Sequence, residues 1–151
     1  MVIYFGADHR GFNLKEILKK QLGGSYEVVD LGNKNLDEGD DYPDFAAQVA
    51  NQVSADPSNS KGVVICGSGA GVDVVANKFF GVRSVLGISP EQVKAARSDD
   101  DVNVLSIAAN FTKDEEASAM LKVFLETEFS GEERYKRRLD KISEIEKGKI
   151  S

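Results

Sequence analysis

The sequence predicts a three-layer α/β/α sandwich built on a five-stranded parallel sheet. Three observations carry that expectation. Five short, β-favouring apolar segments alternate with segments of helical periodicity. The central one, 62–66, is apolar throughout, as a strand covered by helices on both faces should be. Several of the segments run directly into turns rich in Gly and Asp, where parallel strands hand over to loops.

Met1–Phe5 is apolar and runs into Gly6, which predicts a buried strand followed by a loop over 7–11. Leu14, Ile17 and Leu18 among lysines, flanked by Phe12 and Leu22, predict an amphipathic helix to about Leu22. A second strand is expected over Tyr26–Leu31, then a polar loop through Asp41. Pro43 can open a helix over about Asp44–Val53, with Phe45, Ala46, Val49 and Val53 on its apolar face. DPSNS at 56–60 reads as a surface turn, Gly62–Cys66 as the third strand, and the stretch after the glycines as a helix to about Lys78. Val82–Leu86 is the fourth strand. Ser89 and Pro90 form an N-cap and first helical position. Asn103–Ile107 is the fifth strand. Thr112 with Glu115 suggests a capping box opening a helix that ends near Glu126. A charged C-terminal helix over 131–148 carries a stripe of Tyr135, Leu139, Ile142 and Ile145, fit to pack on its own domain or on a partner subunit.

The whole is a Rossmann-like arrangement forming one domain over 1–151, although strand order does not follow from the pattern. In such folds ligands bind beyond the C-terminal ends of the parallel strands. That rule directs attention to Asp8-His9, Asp41-Tyr42, Cys66–Gly71 and the stretch around Asp99–Asn103.

Composition narrows the function. A net charge of -6 argues against broad binding to nucleic acid, though a local basic cluster, RYKRR at 134–138, leaves room for a small anionic ligand. No stretch is long and apolar enough for a membrane span, and MVIYFGADHRG lacks a basic region followed by a long apolar run, so a cytoplasmic setting is expected. The lone cysteine excludes an internal disulfide, and a single histidine provides no His-based metal cluster.

Four groups are candidates for chemistry. In CGSGAG (66–71) the glycines allow the backbone N–H groups to turn inward before a helix, a cradle for a phosphate or a developing oxyanion beside Cys66. The same residues would equally make a tight strand–helix connection over a buried cysteine. The spacing matches neither dinucleotide nor nucleoside-triphosphate motifs. His9 is either a ligand hydrogen-bonder or a surface histidine paired with a carboxylate. Arg134 and Arg138, four apart, share a helix face suited to a phosphate, or else belong to a solvated charge run balanced by Asp140 and Glu144. Asp99-Asp100-Asp101 reads first as a helix terminus and exposed turn.

Taken in order, GADHRGFNLK (6–15), YEVVDLG (26–32), DYPDFAAQVA (41–50), GVVICGSGAGVDVVANKFFGVRS (62–84), NVL (103–105) and GEERYKRRLDKI (131–142) resemble the ribose-5-phosphate isomerase B and galactose-6-phosphate isomerase family. The resemblance spans nearly the whole chain. It implies an α/β enzyme without metal or other cofactor that interconverts an aldose phosphate and its ketose through a cis-enediolate. It also implies a homodimer, or a dimer of dimers, with active sites at the subunit interface. By position, Cys66 would inherit proton transfer between C2 and C1. Ser68 and the backbone of Gly67, Gly69 and Gly71 would stabilise the oxyanion, Asp8 would bind sugar hydroxyls, and Tyr42 would line the pocket. His9, Arg134 and Arg138 would contact phosphate, the arginines reaching a neighbouring subunit's site.

The resemblance breaks at one place. Where family members carry His-Asn before the NVL strand, this chain has Asp99 and Asp100. The histidine's implied role is opening the furanose ring, so Asp99 would have to act as the base, and Asp100 would put a carboxylate near an anionic intermediate. Tyr135 stands where histidine is frequent, and Arg10 adds a positive group beside the expected phosphate site. Ribose 5-phosphate is the leading substrate; another pentose or hexose phosphate, or a catalytically degenerate sugar-phosphate-binding subunit, is the alternative.

Overall fold

The computed structural model describes residues 1–149; residues 150 and 151 of the expected single domain lie outside them. The elements follow in the order β1 (Val2–Ala7), α1 (Phe12–Gln21), β2 (Glu27–Asp30), α2 (Tyr42–Ala55), β3 (Ser60–Cys66), α3 (Ala70–Ala76), β4 (Ser84–Leu86), α4 (Pro90–Asp100), β5 (Val104–Ala108), α5 (Asp114–Glu126) and α6 (Glu133–Glu146). The strands form one parallel sheet of order β2-β1-β3-β5-β4. The chain winds outward from β1 to β2, then returns past β1 to place β3 on its other side. That reversal opens a crevice between the C-terminal ends of β1 and β3.

Alternation along the strands sorts side chains into two cores. Ile3, Phe5 and Ala7 of β1, Val63 and Ile65 of β3, and Leu105 and Ile107 of β5 face the layer of α1, α4 and α5. Val64 and Cys66 of β3 and Val104 of β5 face α2 and α3. Cys66 thus ends its strand pointing into the thinner layer, under the turn it begins. Helix α6 buries none of its residues and lies outside both layers.

Several boundaries move from their sequence-based positions, each for a local reason. β1 continues through Gly6 to Ala7, because its register with β3 persists to Ala7 opposite Ile65. Ser60 leaves the expected surface turn and opens β3, buried, with its hydroxyl donating to Asp56 O at 2.6 Å. β4 starts at Ser84, since the Arg83 N–H is taken by the Asn103 side chain at 2.8 Å. β5 begins at Val104 and runs to Ala108. α3 stops at Ala76, two residues early. α5 opens after Lys113, not Thr112; the reciprocal carboxylate is that of Glu116, which accepts the Lys113 N–H at 3.3 Å. Ser89 caps α4 as expected, accepting the Gln92 N–H at 3.1 Å.

One charged residue sits wholly inside. Lys15 on α1 is fully buried, and its Nζ donates to Asp30 at 2.7 and 2.9 Å and to Asn33 O at 2.9 Å. Burial works to raise the Asp30 pKa, but hydrogen bonds from Lys15, Lys19 and the Gly32 N–H outweigh it and hold the carboxyl below its ordinary range. The pair fastens the end of β2 to α1. Because the folded-state pKa is depressed, its stabilisation is present above the ordinary carboxylate pKa and is lost as pH falls through the folded value. Asp30→Asn is expected to cost about 2–3 kcal/mol at neutral pH by taking the nearer carboxylate from buried Lys15 and leaving only Glu16, at 3.4 Å. Urea melts of both proteins should show the gap closing as pH drops below about 4.

Candidate active site

The crevice at the C-terminal edge of the sheet holds a cavity of about 640 Å³. The loop after β1 contributes Asp8, His9 and Arg10, the end of β3 and the turn into α3 contribute Cys66, Gly67, Ser68 and Gly71, and the entry to α2 contributes Asp40, Asp41 and Tyr42. Asn110 and Phe111, just past β5, close the remaining side.

Asp8 is 6% exposed, and its Oδ1 accepts the backbone N–H groups of Arg10 and Gly11, each at 3.0 Å. That turn makes the chain leave β1 sharply and carries Gly11 against Ile65, where an added Cβ would lie 2.6 Å from the carbonyl oxygen. Asp8 keeps its other oxygen for whatever enters the cavity. His9 is tied to Asp40 twice: its N–H donates to Oδ1 at 3.0 Å, and Nδ1 lies 2.7 Å from the same oxygen. The second Asp40 oxygen accepts from Asn33 Nδ2 at 3.0 Å. With Nδ1 engaged by the carboxylate, the ring is oriented and Nε2 is left for a ligand. The Asp40 hydrogen bond raises the His9 pKa; the Asp8 and Asp40 charges add to this, while burial and the Arg10 charge oppose it. Of the two sequence readings of His9, the pairing with a carboxylate is seen in Asp40, and the ring also lines the cavity.

Cys66 is a free thiol, 4% exposed, at the last position of β3. The turn after it is clamped to the end of β5 through its oxygens: Cys66 O accepts from Ala109 N and Gly67 O from Asn110 N, both at 2.9 Å. Its N–H groups, from Gly67 to Gly71, take no acceptor outside α3 among the described residues. The glycines serve different ends. Gly69 has φ of +71°, and a Cβ there would stand 2.5 Å from Leu86 Cδ1 and 2.9 Å from Ala108 N. A Cβ on Gly71 would meet the Tyr42 ring at 2.7 Å. The turn is thus a tight strand–helix connection over a buried cysteine, and its Gly67, Ser68 and Gly71 line the cavity.

Of the residues expected at the site, Asp8, His9, Tyr42, Cys66, Gly67, Ser68 and Gly71 meet in the cavity. Gly69 is buried beneath the turn, supporting it from behind. Asp99, Asp100, Arg134 and Arg138 do not line it. Asp99 and Asp100 occupy the last turn of α4, which runs down to the start of β5, so they lie at the N-terminal edge of the sheet, opposite the cavity. The stretch around Asp99–Asn103 serves that edge instead. Asp101, at φ +46°, ends α4 and pairs with both Arg83 and Arg97, at 2.9 and 2.8 Å. Asn103 bridges to Gly81 O at 2.9 Å. The segment entering α6 is tied beside this corner, Ser130 N donating to Ser98 O at 3.0 Å. There Arg134 pairs with Glu132 at 2.9 Å, and the guanidiniums of Arg134 and Arg138 stack 4.7 and 5.5 Å from the centre of the Tyr135 ring. The four outlying residues therefore gather in one region. Sequence reasoning missed Asp40, Asn110 and Phe111; the last two follow directly from asking what lies beyond the C-terminal end of the fifth strand.

Among the described residues no group of three or more His, Cys, Asp or Glu is placed to hold a metal ion, and no helix is long and apolar enough to cross a membrane.

A sequence model of the family described as Ribose/Galactose Isomerase matches residues 3–142. Ribose-5-phosphate isomerase B of Escherichia coli is 36% identical over 145 residues, 95% of each chain. The crystal structure of ribose-5-phosphate isomerase B from Mycoplasma genitalium with bound ribulose-5-phosphate is similar at a TM-score of 0.93 and 40% identity, over 97% of this chain and 96% of that one. The type B ribose 5-phosphate isomerase of Trypanosoma cruzi gives 0.92 at 35% identity, over 99% and 98%.

The His9–Asp40 pair can be tested without substrate, because the chain has one histidine and its imidazole resonances report one group. The imidazole is expected to titrate above the ordinary histidine value of about 6.5. Asp40→Asn should move the midpoint down, since the raising partner loses its charge. The stabilisation from the pair is present below the unfolded-state pKa and disappears as pH rises through the folded one. A midpoint unchanged by Asp40→Asn in an NMR titration would contradict the assignment.

Proposed function

The chain belongs to the ribose/galactose isomerase family, and from that premise we propose that it interconverts ribose 5-phosphate and ribulose 5-phosphate, with Cys66 as the proton shuttle. The observation carrying this reading is the meeting of Cys66, at the end of β3, with Asp8 and His9, from the end of β1, in one cavity beside unengaged amides. In the open-chain aldose, the Cys66 thiolate takes the C2 proton. The electrons of that C–H bond form the C1–C2 double bond, and negative charge collects on O1. The proton on O2 passes to O1, and Cys66 returns its proton to C1, leaving the carbonyl at C2. Atoms and charge balance without an external oxidant or reductant.

Each neighbour answers a need of this step. One group must act as base and then as acid. Donors must point to where charge develops, a role for the N–H groups of Gly67–Gly71 and the Ser68 hydroxyl. Asp8 holds sugar hydroxyls, and Tyr42 covers one wall. His9 meets phosphate, whose binding energy positions carbons remote from it.

Arg134, Arg138, Asp99 and Asp100 enter the proposal through a second copy of the chain. They gather at the α4–α6 corner, away from their own cavity, and α6 leaves Tyr135 and Leu139 only partly buried and Ile142 exposed. In a two-fold dimer each corner would complete the partner's cavity, bringing the arginines to the phosphate and Asp99 to the ring oxygen.

Purified protein is expected to convert ribose 5-phosphate to ribulose 5-phosphate, and Cys66→Ala to lose activity by about 10³-fold or more while its melting curve stays near wild type. A fully active Cys66→Ala would end the shuttle assignment. Faster turnover of a hexose phosphate would redirect the substrate assignment. Sharing of the site has its own readout. Cys66→Ala mixed with Arg134→Ala/Arg138→Ala, refolded together, should recover about a quarter of wild-type activity, because one site of each mixed dimer is intact. Two inactive variants that stay inactive on mixing would place the arginines elsewhere.

A further inference from the structure

Arg10 is a cation at the mouth of the cavity that no carboxylate among the described residues holds. Its backbone N–H is fixed by Asp8, yet its guanidinium makes no ion pair or hydrogen bond among the described residues. The other arginines near charged corners are committed: Arg83 and Arg97 to Asp101, Arg134 to Glu132. Two carboxylates that share its cavity are also occupied, Asp8 by two backbone N–H groups and Asp40 by His9 and Asn33. The Arg10 stem crosses Gly67, where an added Cβ would stand 2.7 Å from Cδ and 3.2 Å from Nη1. Asn110 Nδ2 lies 2.9 Å from the same point, and the Asn110 side chain likewise makes no hydrogen bond among the described residues. A guanidinium and a primary amide, both exposed, thus stand side by side over the bare backbone of the turn.

The geometry points to Arg10, with Asn110 beside it, as this chain's own phosphate grip, acting together with His9. The division of the cavity decides between the two ends of the substrate. Cys66 is buried at the floor, whereas Arg10 and Asn110 are exposed at the rim. The reacting carbons belong with the thiol and the charged tail with the rim. A guanidinium supplies paired donors suited to phosphate oxygens, and a neutral amide adds a donor without further charge. Phosphate recognition would then not depend on the α6 arginines alone. Naming the ligand a sugar phosphate rests on the isomerase reading; the grip itself does not.

Titration of inorganic phosphate, followed by the imidazole shift of His9, tests the grip without turnover. Wild type is expected to saturate. Arg10→Ala should weaken phosphate by about 10–100-fold, Arg10→Lys by less, and Asn110→Ala by about 3–10-fold. In turnover with ribose 5-phosphate, Arg10→Ala should raise KM by a similar factor and change kcat by less than about threefold. Loss of kcat at unchanged KM and unchanged phosphate affinity would assign Arg10 to the reacting end and overturn the proposal. So would a wild-type His9 signal that ignores phosphate, or an Arg10→Ala protein whose phosphate affinity stays within about twofold of wild type. Arg10→Lys and a melting curve separate loss of the grip from loss of fold. Phosphate affinity that depends on Arg10 in a protein turning over no sugar phosphate would keep the grip and refute the isomerase reading instead.

Discussion

The cavity depends on how closely the turn after Cys66 lies against the end of β5. Gly69 sits in left-handed backbone with Leu86 and the Ala108 amide where a side chain would be. The carbonyls of Cys66 and Gly67 are taken by Ala109 and Asn110. Spending its oxygens on β5 leaves the turn's amides free to serve the opposite side. A bulkier turn would lift from β5, lose those two hydrogen bonds, and close the space in which Asn110 and Arg10 now lie beside Gly67. Under the proposed reading, backbone packing and anion chemistry would be one constraint, because the glycines that permit the first would also expose the donors for the second.

A second line of support runs from the interior to His9. Lys15, buried on α1, holds Asp30 at the end of β2 and the carbonyl of Asn33 beyond it. Asn33 in turn donates to Asp40, and Asp40 orients His9. The polar loop between β2 and α2, with no regular structure of its own, is thereby pinned at one end by a buried charge and at the other by the histidine it positions. This explains why a lysine is tolerated at full burial. Its charge is met by a carboxylate and its remaining hydrogen-bonding capacity by a loop carbonyl, so little is left unsatisfied.

The layered fold, all five strands and the Cys66 turn were legible because each rests on local pattern: apolar runs of strand length, helical periodicity, and Gly spacing. Boundaries shifted where a long-range contact intervened, as when Asn103 claimed the Arg83 amide and delayed β4. The site was half legible. Asp8, His9 and Cys66 follow strand ends, and the sheet assembles them. Asp40 carries no signal, since one Asp among several in an irregular loop becomes the partner of His9 only through folding over a separation of 31 residues. Asp99 and Asp100 show the converse case. They lie next to a strand in sequence, but at its N-terminal end, and direction along the strand is what decides which edge a residue occupies.

That directional rule also accounts for how the functional residues are divided. A parallel sheet offers one edge for ligands, and within this chain that edge carries a thiol, oriented donors and one unpaired guanidinium. The α4–α6 corner lies at the other edge, with the carboxylates of Asp99 and Asp100 and two arginines stacked on Tyr135. No movement inside one chain of modest size unites the two edges of a packed sheet, whereas a two-fold axis does so without disturbing either. Under the proposed reading, the cavity edge would handle proton transfer and a first hold on phosphate, and the corner would add further positive charge and the carboxylates of a second copy. Arg10 then has a physical reason to be unpaired. A site that is completed by assembly gains from keeping one strong anion donor on the subunit that carries the thiol, so that the substrate's charged tail is oriented by the same backbone that orients its reacting carbons.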